Sequence, residues 1–331
     1  MEAYIKAIAY TLGSVEETNE QLVKEFPEWS VEKIASKVGI GKRYVAAEEE
    51  TSASLAVRAA EKLFENHPNI ERSSIDFLLF CTQSPDYFLP TSACIIQNCL
   101  GLPTSCGAMD YNLGCSGYIY GLSLAKGLIA AGIARNILLL TGETYSKFIH
   151  PKDKGNRTIF GDAATATLIS TSGFAQIKEF SLGTDGTGAG NLIVKAGGLK
   201  HPLPYNDLQF DEKGNPLSSD HLYMNGAEIF NFTIDRVPGL VEDILSKNRT
   251  SKEEVTGFVF HQANAFILEF LRKKMKIEKE KFHYYLESVG NTVSSTIPIV
   301  LCEKKSLLNG NILLAGFGVG YSWGGCIVEF A

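Results

Sequence analysis

The chain repeats itself. IDFLLFCTQS, a strand-like run reaching Cys81, resembles VTGFVFHQAN, which reaches His261, and NLGCSG at 112–117 resembles SVGNTV at 288–293, setting Cys115 against Asn291. Each copy continues into a helical stretch and an apolar strand ending in glycine, LLLTGE at 138–143 and ILLAGFG at 312–318, with a nearly constant offset. Self-similarity at so long a period signals a duplicated architecture. It restricts the chain to two similar halves, residues 1–172 with the cysteine and residues 173–331 with the histidine and asparagine. Ligands of open α/β sheets bind beyond the carboxyl ends of strands. A pseudo-dyad relating the halves therefore draws Cys115, His261 and Asn291 towards one pocket.

Short apolar runs support the same picture. Ile75–Cys81, Asn136–Thr141, Ala164–Ser170, Gly257–His261 and Asn311–Ala315 read as strands buried on both faces. Ser52–Asn66, opened by a Thr51/Ser52 cap, and Cys115–Ala131, closed by Gly132, read as helices between them. The alternation predicts an α/β fold. The polar stretch 195–220, around DEKGNP, reads as an exposed loop or hairpin, and no low-complexity linker separates the halves.

Composition removes several function classes. A formal charge of −6 argues against the basic surface that nucleic-acid binding requires. No apolar segment reaches membrane-spanning length, and MEAYIKAIAY lacks the basic start and apolar run of a signal peptide, so a cytoplasmic protein is expected. The seven cysteines are odd in number and lack CxxC spacing, which suggests free thiols. The six histidines show no HxxxH spacing, so no metal site is expected. GTDGTGAGN at 183–191 lacks the flanking strand and helix of a dinucleotide loop, and no cofactor is implied.

Three residues remain as candidates. Cys115 opens the helix CSGYIYGLSLAKGLIAAG, whose single charged residue is Lys126. Such a helix is buried nearly all round, and Gly114, Gly117 and Gly121 let other backbone approach it. A cysteine at a helix N-terminus meets free N–H groups that favour the thiolate. On that reading Cys115 is alkylated faster than the other six cysteines; the alternative is a small core residue. His261 ends an apolar strand, where a histidine serves either as acid–base group or as hydrogen-bonded structure. Asn291, in VGNTVSS, fits a helix cap as readily as a catalytic donor.

Taken in order, GIGKRYVA (ending at Ala46), LGCSGYIYGLSLA, TIFGDAATATLI, FHQAN, ESVGNTVSSTIP and GFGVGYSWGG span the chain almost end to end. The set resembles the β-ketoacyl-acyl-carrier-protein synthase III enzymes of the thiolase superfamily. The resemblance implies a five-layered αβαβα thiolase-like fold, a homodimer, and Cys115, His261 and Asn291 as catalytic triad. It implies decarboxylative Claisen condensation of an acyl thioester, from acyl-CoA or acyl carrier protein, with malonyl carrier protein in fatty-acid or related acyl-chain synthesis.

Cysteine suits such a relay because attack on a thioester yields another thioester. The backbone N–H groups of Cys115 and, by resemblance, Gly320 would hold the oxyanion. His261 and Asn291 are expected to meet the enolate oxygen as neutral donors. The resemblance also suggests Leu89, Phe160 and Phe317 as acyl-pocket residues, Leu89 reaching across the dimer.

Departures from the family concern the donor. Many members carry Trp at the Lys33 position and Arg at those of Lys37 and Lys154, where coenzyme A is held; lysine keeps the charge but loses stacking and the guanidinium fork. A carrier-docking Arg is replaced by Phe266, while Lys273 and Lys274 retain their docking places. An acyltransferase of the same fold, passing the acyl group to oxygen or nitrogen, is the alternative, with a cysteine hydrolase and a non-catalytic scaffold further off.

Overall fold

In the computed structural model, which describes residues 1–331, the repeat becomes a symmetric strand order. Ten strands carry it: β1 (Tyr4–Leu12), β2 (Phe77–Cys81), β3 (Gly107–Tyr111), β4 (Asn136–Glu143), β5 (Ala163–Ser170), β6 (Ala175–Thr184), β7 (Val255–Phe260), β8 (Phe282–His283), β9 (Gly310–Gly318) and β10 (Ser322–Phe330). Their order is β8-β7-β9-β10-β6-β1-β5-β4-β2-β3. Outward from the centre, β1, β5, β4, β2, β3 are answered by β6, β10, β9, β7, β8. Strand directions repeat too: β2 runs parallel to β3 and β4, as β7 does to β8 and β9, and the other neighbours within each half are antiparallel. The halves meet through two residue pairs, Tyr4↔Gln176 and Ile5↔Ala175, and the chain crosses between them after Ser170.

Six helices complete five layers: α1 (Ser52–Asn66), α2 (Ser92–Cys99), α3 (Gly117–Ala130), α4 (Gly226–Asn248), α5 (Ala265–Lys274) and α6 (Thr296–Glu303). α1 and α2 cover the outer face of the first sheet, and α4, with α5 against it, covers the second. α3 touches strands of both halves and forms the middle layer with α6. This placement follows from sequence. α1 and α4 each bury one face, whereas the middle helices must be apolar all round. α6 buries every residue from Thr296 to Leu301. In α3, a Cβ on Gly117 would stand 2.3 Å from the Cys81 sulfur, so that close crossing requires glycine.

The expected strands are present within two residues, except that β9 runs three residues past Ala315. Thr51 and Ser54 form the capping box of α1, and Gly132 (φ +72°) follows the end of α3. The region 195–220 contains a short hairpin, Gln209–Phe210 with Pro216–Leu217. One expectation shifts. α3 begins at Gly117, so Cys115 lies in the preceding turn, closed by the Gly117 N–H donating to Gly114 O at 2.8 Å. No helix is long and apolar enough to cross a membrane.

Candidate active site

Val293 organises the site. Its side chain packs in the cluster around Cys115, and its N–H donates to Asn291 Oδ1 at 2.9 Å. Its carbonyl accepts from Thr296 Oγ1 at 3.0 Å, and that oxygen lies 2.9 Å from His261 Nδ1. The three residues nominated by the repeat are thus joined through one buried residue. Val293 holds this position with φ +55°, a backbone cost a β-branched residue bears only when its surroundings demand it.

Each functional side chain is fixed by its own element. His261 follows β7, anchored by its N–H to Ala315 O at 2.8 Å. Asn291 precedes α6 as Cys115 precedes α3. Its N–H donates to Ile159 O at 2.9 Å and its own carbonyl accepts from Gly161 N–H at 3.0 Å. With Oδ1 engaged by Val293, the Asn291 amide is oriented and Nδ2 retains its donors. Asn291 is therefore no ordinary cap; that role in this half belongs to Asn225, which accepts from Glu228 N–H at the start of α4, and to Asn264, which accepts from Ile267 N–H at the start of α5. The end of β9 lies on Cys115: a Cβ on Gly318 would stand 2.9 Å from both Cβ and Sγ of the cysteine.

Burial sets the electrostatics. Cys115, His261 and Asn291 are 6%, 2% and 5% exposed. Burial pushes the Cys115 thiol up to about 12, against backbone hydrogen bonds from Val319 and from Cys115 itself. A helix N-terminus contributes about 0.3–1 kcal/mol, less than a tenfold change in ionisation, so burial wins and the resting residue is a thiol. Burial thus works against the thiolate expected at Cys115; Cys99 is the exposed cysteine. Burial also holds the His261 ring down to about 3, hence neutral. Close by, Glu143 is fully buried and pushed up to about 8 by that burial, although Gln83 N–H, Ser84 Oγ and Ser294 Oγ donate to it.

Two proposed positions are revised. The second backbone donor on the cysteine sulfur is Val319, one residue before Gly320; Gly320 instead takes φ +127° in the turn that follows. Phe160 packs with Cys115, together with Tyr145, Ile149, Leu192 and Leu222. Phe317 lies behind the site, its ring edge-on to His261 at 5.8 Å and clustered with Phe260 and Phe282. Leu89 is 83% exposed and absent from the Cys115 cluster of its own chain. Sequence reasoning missed Tyr145, Leu192 and Leu222. Leu192 opens a two-residue strand and Leu222 precedes its two-residue partner, both too short for a periodic signal, and no sequence pattern marks the positive φ of Val293.

A cavity of about 300 Å³, lined by Trp29, Lys37, Asn156, Ile159, Leu222 and Met224, shares its inner wall with the Cys115 cluster. An aromatic surface stands beside Lys33 all the same: Trp29, in the bend before the helix Val31–Val38, lies under Lys33 and Lys37 at 5.9 and 5.8 Å. Lys154 is ion-paired with Glu28. Lys274 donates to Ile234 O at 2.7 Å, while Lys273 is largely exposed, 3.4 Å from Glu269.

A buried thiol, a neutral imidazole and an oriented amide on one backbone turn can relay an acyl group and stabilise an enolate. Known proteins are similar to the chain in sequence and fold. The family descriptions "3-Oxoacyl-[acyl-carrier-protein (ACP)] synthase III" and its C-terminal counterpart match residues 109–186 and 245–330. The beta-ketoacyl-[acyl-carrier-protein] synthase III of Clostridium perfringens is 37% identical over 316 residues, covering 94% of each chain. A crystal structure of a 3-oxoacyl-(acyl-carrier-protein) synthase III superposes with TM-score 0.96 at 48% identity, covering 100% of both chains. That of a 3-oxoacyl-(acyl-carrier protein) synthase from Burkholderia xenovorans gives 0.89 at 37%, covering 100% of this chain and 94% of that one.

Proposed function

The chain belongs to the 3-oxoacyl-[acyl-carrier-protein] synthase III family, and from that premise we propose that it condenses an acyl thioester with malonyl carrier protein through an acyl-Cys115 intermediate. The observation that carries this reading is the convergence of Cys115, His261 and Asn291 on Val293.

The Cys115 sulfur attacks the acyl carbonyl, and the donor thiol leaves with a proton. Backbone N–H groups of Cys115 and Val319, placed at the sulfur, stabilise the oxyanion. Malonyl thioester then loses carbon dioxide, Asn291 Nδ2 donates to the enolate oxygen, and the enolate carbon takes the acyl group from sulfur. The Cys115 thiolate released in that step regains a proton. The fold itself needs no cofactor for these steps.

Two further features shape the reading. The exposed run Tyr87, Phe88 and Leu89, 61%, 77% and 83% accessible, favours a homodimer in which a second copy covers it. With Lys154 paired with Glu28, the cavity mouth offers less charge to coenzyme A phosphates, which favours a carrier-protein donor; Lys33, Lys37 and Lys273 are exposed cations outside that pairing.

The test is to incubate the protein with one acyl group on coenzyme A or carrier protein, plus malonyl-CoA or malonyl carrier protein, and read products and Cys115 peptides by mass spectrometry. Acyl mass on Cys115 and a 3-oxoacyl product with loss of carbon dioxide are expected. Acyl transfer to an oxygen or nitrogen acceptor without decarboxylation overturns the proposal.

A further inference from the structure

Two of the six histidines meet just outside the Cys115 pocket. Ile149 and Leu222 belong to the cluster around the cysteine, and Leu222 N–H donates to Phe148 O at 2.8 Å. The residues next to them, His150 and His221, stand edge to face with ring centroids 4.8 Å apart. The ring of Phe210 lies edge-on to His150 at 6.0 Å, under Lys152 Nζ at 5.1 Å. The excursion 195–222 is thus fastened to the turn 148–152 by one backbone bond and a cluster of rings. Both histidines are half-buried, so solvent protons reach them.

Lys152 N–H donates to His150 Nδ1 at 3.1 Å. A ring nitrogen that accepts has no hydrogen of its own, so only the uncharged ring makes this bond. The neighbouring charges do not offset its loss. Burial, His221 and Lys152 hold His150 below its ordinary 6.5, against the pull of Asp153, and Asp153 is engaged by Asn156 N–H and Nδ2 at 3.0 and 2.7 Å. Around His221, whose Nδ1 lies 3.0 Å from Ser218 Oγ, Asp207 accepts from Ser219 N–H and Asp220 from the N–H groups of Tyr205 and Asn206. Lys195 lines the same cavity as Asp207 and His221. With the folded value of His150 depressed, its contribution is complete above 6.5 and is lost as pH falls below it. We propose that His150 and His221 form an acid-sensitive clasp: uncharged, they hold the excursion 195–222 against the wall of the Cys115 pocket, and protonation releases it. The clasp stands on the geometry of the rings and is independent of the reaction assigned to Cys115.

The test is amide hydrogen exchange of the full-length protein at about pH 7.5 and about pH 5.5, on either side of the histidine range, with each rate divided by the intrinsic rate of the unfolded chain. Peptides covering 195–222 should exchange about tenfold faster in acid, as for one lost hydrogen bond, while those of β1 keep their protection. His150→Phe combined with His221→Phe keeps two rings and removes both charges, so the acid effect should disappear. His221→Lys places a fixed charge in the clasp and should give fast exchange at both pH values. Equal protection of 195–222 at the two pH values in the unsubstituted protein overturns the proposal, whether or not the variants fold. So does an acid effect that persists in the double phenylalanine variant, or a His221→Lys protein that stays protected at the higher pH.

Discussion

Cys81 and His261 close equivalent strands, β2 and β7, and both turn towards the middle layer, yet one is sealed and the other serves the site. Cys81 pairs with Thr141. Phe260 pairs with Ala315, which sets His261 opposite Gly316. Two residues further along the neighbouring strands stand Glu143 and Gly318. In the first half, the Cys81 thiol donates to Leu113 O at 3.0 Å and presses on Gly117, and Glu143 is enclosed by its donors. In the second half, Gly318 has no side chain, and the Cys115 sulfur lies where one would stand. The first half therefore delivers the nucleophile and the second provides the space for it. Duplication repeated a backbone; the residue at each strand end decides whether that end is packed or chemically available.

The strongest way to break this comparison is to delete each thiol. Cys115→Ala should lower condensation by on the order of 10⁴ or more, with no acylated enzyme detectable by mass spectrometry. Cys81→Ala should retain acylation and cost about 1–2 kcal/mol of stability in denaturant titration, as a core truncation does. Acyl mass retained on Cys81 in the Cys115→Ala protein would reverse the roles of the halves.

Asn291 and His261 lie in the same half, and both are expected to serve the enolate. Asn291→Ala and His261→Ala should each reduce malonyl decarboxylation on the order of 10²–10³-fold, while Cys115 acylation survives better. Carbon dioxide release and peptide acylation, measured separately, decide this; normal decarboxylation with lost acylation in both variants would reverse the assigned functions.

Glu143 offers a smaller effect, read as stability against pH. Its carboxyl is raised by burial from 4.5 to about 8, so the folded chain holds a proton that the unfolded chain releases between those values. Its contribution is fully present below 4.5 and is lost as pH rises through about 8. Glu143→Gln should flatten the fall in melting temperature across that window. An unchanged slope would show that Glu143 is not the group responsible.

The smallest effect concerns the outer surface, where the halves also differ. α2 carries no charged residue, whereas its counterpart α5 ends in Arg272, Lys273 and Lys274. Arg272 is paired with Glu269 and Lys274 with a carbonyl, leaving Lys273 most accessible. Lys273→Glu should slow carrier-protein association a few-fold, an effect blunted by salt. Initial rates at two ionic strengths test it, and insensitivity to both charge and salt would place docking elsewhere.

The duplication, the strands and the candidate trio were legible in the sequence because each rests on local pattern: apolar runs, turn residues, and polar side chains at repeated offsets. IDFLLFC and VTGFVFH announce buried strands, and the near-absence of charge in α3 announces a central helix. Other features depend on groups far apart in the chain. Burial set desolvation against the thiolate expected at Cys115, put the Phe317 ring edge-on to His261, and brought Leu192 and Leu222 to the cysteine. Ion pairing set Lys154 against Glu28, and the path of β9 put the Val319 amide, not that of Gly320, on the sulfur. Periodicity specifies which residues face inward, but desolvation and hydrogen-bond partnership are set by distances between segments, and those exist only once the two halves have packed.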